Sequence, residues 1–271
     1  MKKVLFFTFC LFLVTILSGC IFNKEEAPAE QEKGYLSPAK ATPVPTQSSQ
    51  LVIEGKPYLA LTPRADGKEL KLSLGGIVGA KSMDYELVYL AGETDNQLQR
   101  GVVGSVDLAG STEYGKSLLL GSCSKSVCKY DENVKEGTVS LIFRGDGGAQ
   151  KYEAVFRLQT GQDAKTGLTS GDGNFKFVSS TLPPSNYYLT VSTLGLFRMP
   201  VGRIVAGPYG IFTSGSTSAK GKVFFKPSSP AQAAKILVWA GQSWTELKST
   251  REDEFVTAET PTLGAFVAVV E

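Results

Sequence analysis

The chain has 271 residues, 42% of them apolar, with 28 Lys+Arg against 26 Asp+Glu and no histidine. That apolar share is ample for a packed core, and the near-neutral balance lacks the basic excess of a nucleic-acid-binding protein. Without histidine the chain cannot perform Ser-His-Asp or Cys-His catalysis, nor ligate a metal through imidazole, so any catalysis falls to carboxylates, Lys or Tyr.

The chain opens with Lys2 and Lys3, followed by an apolar run from Val4 to Leu17. A membrane-spanning helix needs roughly 20 apolar residues. This run is short for a span and suits the apolar region of a secretory signal, with small residues Ser18 and Gly19 at the cleavage side. Leu17-Ser18-Gly19-Cys20 resembles the lipobox of bacterial lipoproteins: an apolar residue first, a small residue before the cut and Cys at the cut. The resemblance covers the first twenty residues. It implies removal of residues 1–19, diacylglyceryl attachment to the Cys20 thiol and acylation of the new amino group. Several acyl chains give a stable hold where one gives a marginal one. Cleavage would remove two lysines and no acid, leaving 26 Lys+Arg against 26 Asp+Glu. The expected location is the cell membrane or outer membrane, lipid-anchored and facing away from the cytoplasm.

Residues 20–50 comprise the lipidated Cys and a stretch rich in Glu, Pro, Ala, Ser and Gln without apolar periodicity, which predicts a disordered tether. A coil of some thirty residues averages about 30 Å end to end. This places the folded part near the membrane but not on it.

From Leu51 the pattern becomes period two. "ELKLSL" puts Leu70, Leu72 and Leu74 on one face, and "YELVYL" groups Tyr85, Leu87 and Tyr89. "TVSLIF" aligns Val139, Leu141 and Phe143, while "KYEAVFRL" turns Tyr152, Ala154, Phe156 and Leu158 inward. Alternation broken by turn clusters such as "GETDN" and "GDGG" signals half-buried antiparallel strands. The glycine-rich stretch 159–173 predicts an interdomain linker, centred on 161–171. Strands resume at 174–178, 186–192, 221–226, 235–240, 254–259 and 264–270, and "PAQAAK" at 230–235 allows at most one helical turn. The fold class is therefore all-β: two antiparallel β-sandwiches of immunoglobulin-like architecture, at 51–160 and 172–271. "ILVWAGQSWTEL" followed by "VTAETPTLGAFVAV" is similar to a β-module that closes many bacterial and archaeal surface proteins. It implies an envelope structural or adhesive role without catalytic residues.

Four cysteines are present; Cys10 leaves with the signal and Cys20 takes lipid. Cys123 and Cys128 remain, spaced too widely for the redox C-x-x-C motif and suited to a disulfide closing a hairpin. Ser122-Cys123-Ser124-Lys125 and Lys165-Thr166-Gly167 match two penicillin-binding-protein motifs, but outside the required helix and strand contexts. Arg144-Gly145-Asp146 reads as turn chemistry before adhesion. Asp172 and Asn174 offer oxygens to calcium, yet without the EF-hand pattern a turn is the better reading. Among the aromatics, Tyr187 and Tyr188 face opposite ways and Trp239 belongs to an apolar strand. Trp244, Tyr188 and Tyr209 are the candidate ligand-binding residues, weighed against ordinary core packing.

These features predict a lipid-anchored envelope protein with a non-catalytic binding, adhesion or assembly role, holding an unidentified envelope protein or a glycan. No cofactor and no nucleic acid is expected. The alternatives are a carbohydrate- or peptidoglycan-binding module, which would show a row of coplanar exposed aromatics, and a carboxylate-based hydrolase, which would show an Asp/Glu pair facing a cleft.

Overall fold

The computed structural model describes residues 55–93, 95–125, 127–227 and 234–271. Residues 1–19, Cys20, the tether to residue 50 and most of "PAQAAK" lie outside the described residues. The strands are β1 (Tyr58–Pro63), β2 (Glu69–Gly75), β3 (Ser82–Ala91), β4 (Leu98–Asp107), β5 (Glu113–Leu119), β6 (Gly121–Ser124), β7 (Val127–Tyr130), β8 (Glu136–Gly145) and β9 (Gly148–Thr160). After one 3₁₀ turn at Asp163–Thr166 come β10 (Leu168–Thr169), β11 (Phe175–Val178), β12 (Tyr187–Ser192), β13 (Arg203–Thr213) and β14 (Ser218–Phe225). The chain closes with β15 (Lys235–Trp239), β16 (Trp244–Leu247), β17 (Ser249–Glu252), β18 (Phe255–Thr262) and β19 (Ala265–Val270). Every pairing is antiparallel. The fold is an all-β sandwich.

Its organising element is a nine-stranded sheet, in the order β16-β15-β19-β13-β12-β9-β8-β3-β4. Alternation along β12 explains how this sheet is covered. Leu189 and Val191 belong to one core, shared with Leu59, Leu61, Leu70 and Leu72 of the three-stranded sheet β1-β2-β5. Tyr188 belongs to a second core, shared with Phe175, Phe177, Val223 and Phe225 of the five-stranded sheet β10-β11-β14-β18-β17. The two smaller sheets therefore cover opposite faces of the large one, and β12 is buried on both.

The period-two readings hold. Leu70, Leu72, Leu87, Leu141, Phe143 and Phe156 are all inaccessible to solvent, as their alternation requires. Burying each such side chain contributes about 1.5–3 kcal/mol against the cost of ordering it.

The stretch 161–171 differs from the expected linker. Second-core residues begin here, although Leu189 and Val191 further on return to the first core, and the segment is built in: Ala164 is 2% exposed and Leu168 is fully buried. Polar contacts tie it to the large sheet as well. Arg157 Nη1 donates to Thr169 Oγ1 at 2.7 Å, and Thr190 Oγ1 donates to the Thr169 carbonyl at 2.6 Å. Two buried apolar side chains and these hydrogen bonds suffice to fix a sequence whose glycines and polar residues read as open loop. The large sheet also runs unbroken between the halves, because β9 pairs with β12 from Phe156↔Val191 to Thr160↔Tyr187.

Candidate functional site

The loop where β12 passes into β13 holds three of the exposed large apolar residues among the described residues; the others, Val78, Leu98, Val103, Val127 and Val155, are scattered over other strands and loops. The β12–β13 loop reads Leu194-Gly195-Leu196-Phe197-Arg198-Met199-Pro200-Val201-Gly202. Leu196 packs inward on Leu237, Val267 and Val269 of the large sheet. Trp244 Nε1, on the edge strand β16, donates to the Arg198 carbonyl at 2.8 Å. The base of the loop is thus fastened, while Phe197, Met199 and Val201 project outward with exposures of 52%, 73% and 91%. Rings extend from Phe197 in both directions. Its ring meets Tyr58 edge-on at 6.0 Å and Trp239 at 6.2 Å, and Trp239 meets its register partner Trp244 at 5.4 Å.

Beside this row a groove of about 490 Å³ is lined by Tyr58, Thr62, Phe212, Thr217, Trp239 and Thr262, among others. Burial pushes the Tyr58 phenol up to about 12, so it is neutral at physiological pH. The interplanar angles, 88°, 33° and 64° along the row, show rings that are not coplanar.

The sequence-derived aromatic candidates separate clearly. Trp244 lies in this row, half-buried, with its indole N–H already engaged. Tyr188 and Tyr209 do not belong to a surface: at 1% and 6% exposure they fill the second core. Tyr209 stacks on Phe175 at 5.1 Å, and its hydroxyl donates to Asp172 at 2.5 Å. Both tyrosines face the five-stranded sheet, which the sequence could not place on that side. The residues that sequence reasoning missed are Phe197, Met199 and Val201. Their available signal was three apolar side chains interleaved with Arg198, Pro200 and Gly202, without strand alternation.

A second concavity, about 330 Å³, carries carboxylates. Asp66, Asp131, Glu132 and Asp163 line it with Lys68, Lys135 and Tyr187. Three of these acids have partners of their own. Arg64 holds Asp66 at 2.8 Å and draws its carboxyl down to about 2. Asp131 accepts from the Tyr89 hydroxyl at 2.8 Å and from Arg100 Nε at 3.3 Å. Asp163 accepts from the Thr160 hydroxyl at 2.7 Å.

Cys123 and Cys128 form a disulfide across directly paired positions of the β6–β7 hairpin. Lys125 in its turn has φ +47°, the left-handed backbone that tight hairpin turns use. Lys68 Nζ lies 4.5 Å over the Tyr130 ring at the hairpin's base. Ser122 therefore sits on a strand of this hairpin and Lys165 in the 3₁₀ turn, far from the contexts their motifs require.

Asp172 is a turn residue saturated by donors. Ser170, Tyr209, and the backbone and side chain of Asn174 all donate to it. Burial alone would raise its carboxyl, but these hydrogen bonds outweigh that and the net shift is downward. A ring of donors is the opposite of a calcium cage. Arg144 and Asp146 are likewise occupied separately, by Asp84 and Lys81, around the β8–β9 turn. Among the described residues no group of three or more Cys, Asp or Glu is placed to hold a metal ion.

No protein-family model matches the chain, and a search of curated proteins finds no significant relative.

Proposed function

We propose that this chain is a lipid-anchored cell-envelope protein with a non-catalytic binding or assembly role, and that its contact end is the loop bearing Phe197, Met199 and Val201. The observation that carries the contact end is the exposure of these three side chains on a loop fastened at its base by Leu196 and the Trp244–Arg198 hydrogen bond. Three exposed apolar side chains within five residues of one fastened loop mark an interaction surface, whereas exposed apolar residues scattered singly need no explanation. The anchor is carried by Leu17-Ser18-Gly19-Cys20 and the apolar run before it.

Two rival readings fit the geometry less well. A sugar-binding module uses flat, coplanar rings, and the row Tyr58–Phe197–Trp239–Trp244 is twisted. The groove flanked by Tyr58 and Trp239, with threonine hydroxyls between, is the observation that keeps a glycan in play. A carboxylate hydrolase needs a general acid whose carboxyl is raised. In the acidic concavity Arg64 pulls the Asp66 carboxyl down, away from that requirement.

Metabolic labelling with a fatty-acid analogue tests the anchor. The wild-type chain takes up label and fractionates with membranes, and Cys20→Ala abolishes both. Labelling that persists in Cys20→Ala overturns the assignment. Co-sedimentation of the unlipidated chain with purified peptidoglycan, lost on Trp239→Ala, would replace the favoured reading with the glycan one.

A further inference from the structure

The geometry points to a membrane-docking role for the Phe197–Val201 loop: the outer residues of the loop enter the interface of the bilayer that carries the lipid anchor. This names the partner of the contact end just described and rests on that reading. Three observations converge on a lipid surface.

The first is where the chain enters the body. Residues preceding Gly55 lead back to Cys20, and the described chain starts at the docking end. Gly195, at the base of the loop, approaches the Lys56 carbonyl so closely that a Cβ there would overlap it. Tyr58, two residues on, is in edge contact with Phe197. The first described residues and the apolar loop thus share one end of the described body, which is the end from which the proposed anchor segment would lead off.

The second is the residue chemistry. Phe197, Met199 and Val201 form an apolar tip, backed by Tyr58, Trp239 and Trp244, the amphipathic ring types that sit at the level of lipid headgroups. Three cations surround the tip: Lys56, Arg198 and Arg203, all exposed. None of them makes an ion pair among the described residues. The acids at the neighbouring edge, Glu246 and Glu271, are held by Lys235 at 3.5 Å and 2.6 Å. Cations around an apolar tip complement anionic headgroups around an acyl interior.

The third is rigidity combined with tethering. The loop is pinned at its base, so insertion costs little ordering. A tether of a few tens of residues holds the body at an effective concentration of millimolar order, so a weak contact suffices. The body then lies against the bilayer, where tether length alone would leave it near the membrane but not on it, and the disulfide hairpin and the groove take a fixed orientation.

The test uses the mature chain, residues 20–271, carrying Cys20→Ala so that no acyl chain contributes. It is mixed with vesicles of phosphatidylethanolamine and phosphatidylglycerol, or of phosphatidylcholine alone. Both tryptophans of the chain, Trp239 and Trp244, belong to this end, so their emission reports on the contact. The expected result is sedimentation with the anionic vesicles, blue-shifted emission and quenching by brominated acyl chains. Met199→Ser with Val201→Ser, at two highly exposed positions, lowers vesicle partitioning at least tenfold with an unchanged melting temperature. Arg198→Gln with Arg203→Gln lowers it on anionic vesicles only. Absence of vesicle association, or association indifferent to the Met199/Val201 pair, overturns the inference. So does a concentration-dependent dimer in vesicle-free buffer that the same pair abolishes, since the tip would then be a self-association surface. Labelling of Cys20 is scored separately: its failure with vesicle binding retained sinks the anchor alone, and the reverse sinks the docking loop alone.

Discussion

The hydroxyl of Tyr209, on the central sheet, donates to the carboxylate of Asp172 in the β10–β11 turn of the covering sheet. The bond crosses between two layers of the sandwich, and Asp172 meets it from a turn otherwise held by Ser170 and Asn174. Tyr209→Phe should lower stability by about 1 kcal/mol, below the roughly 1.5–3 kcal/mol of a bond to a charged acceptor because Asp172 is exposed to water. Urea denaturation of the two proteins measures this, and equal midpoints would contradict it.

The hydrogen bonds on Asp172, Ser170's first and Tyr209's next, set a pH dependence. The Asp172 carboxyl is lowered in the folded state, against about 3.9 when unfolded. Its contribution is therefore complete above about pH 4 and is lost as pH falls below that, through the lower folded value. Tyr209→Phe should shrink the wild-type loss of stability on acidification below pH 4, and leave the curve parallel to wild type at pH 5–8. Melting temperatures across that range check it.

Leu168→Ala should destabilise by about 2–4 kcal/mol, the cost of emptying a fully buried leucine site. A residue in a free linker would cost less than about 0.5 kcal/mol. Limited proteolysis offers a second readout: the native chain should resist cleavage within 159–173, and Leu168→Ala should admit it.

Replacing Cys123 and Cys128 together by serine should cost about 2 kcal/mol, from the loop entropy of a six-residue ring. Mass spectrometry without reductant should find the native pair two protons light. Because the bond lies within one exposed hairpin, the loss should appear as faster amide exchange over 121–130 before it appears elsewhere.

Gly195→Ala should destabilise by about 1–3 kcal/mol, because the obstacle is the Lys56 backbone and not a side chain that can swing aside. The change should also loosen the loop, seen as faster exchange at 194–201 and red-shifted tryptophan emission as the contact between Trp244 and Arg198 is lost.

Much of this architecture was legible. Leu70, Leu72 and Leu74, or Val139, Leu141 and Phe143, alternate because one face of each strand is buried and the other wet. The disulfide followed from elimination among the cysteines and from a spacing that fits a hairpin. β13 was not legible. Its run Arg203–Thr213 contains Gly207 and Pro208, and its pairing with β19 shifts register on either side of Ala206. Bulges of this kind scramble alternation while leaving the strand between β12 and β19. β12 itself read correctly as a strand with Tyr187 and Tyr188 on opposite faces. What the pattern could not convey is that both faces are covered, since a local period records alternation and not the number of layers. For the same reason Tyr188 and Tyr209 passed as surface candidates, while the exposed apolar tip lay in a loop without any period.

The position of β12 in the large sheet also bears on the order of assembly. As the chain, exported as proposed, emerges N-terminus first, β3, β8 and β9 have their mutual partners once residue 160 is out, but the outer edge of β9 stays open until Tyr187–Ser192 arrives to pair with it. For some thirty further residues the emerging half presents a row of unpaired backbone groups, a template for any other extended chain. Pairing of β12 closes that edge, and the same strand then offers its own far edge to β13. One six-residue segment is thus both the seal on the first half and the seed of the second, so a chain cut short between residues 160 and 187 would keep the outer edge of β9 unpaired.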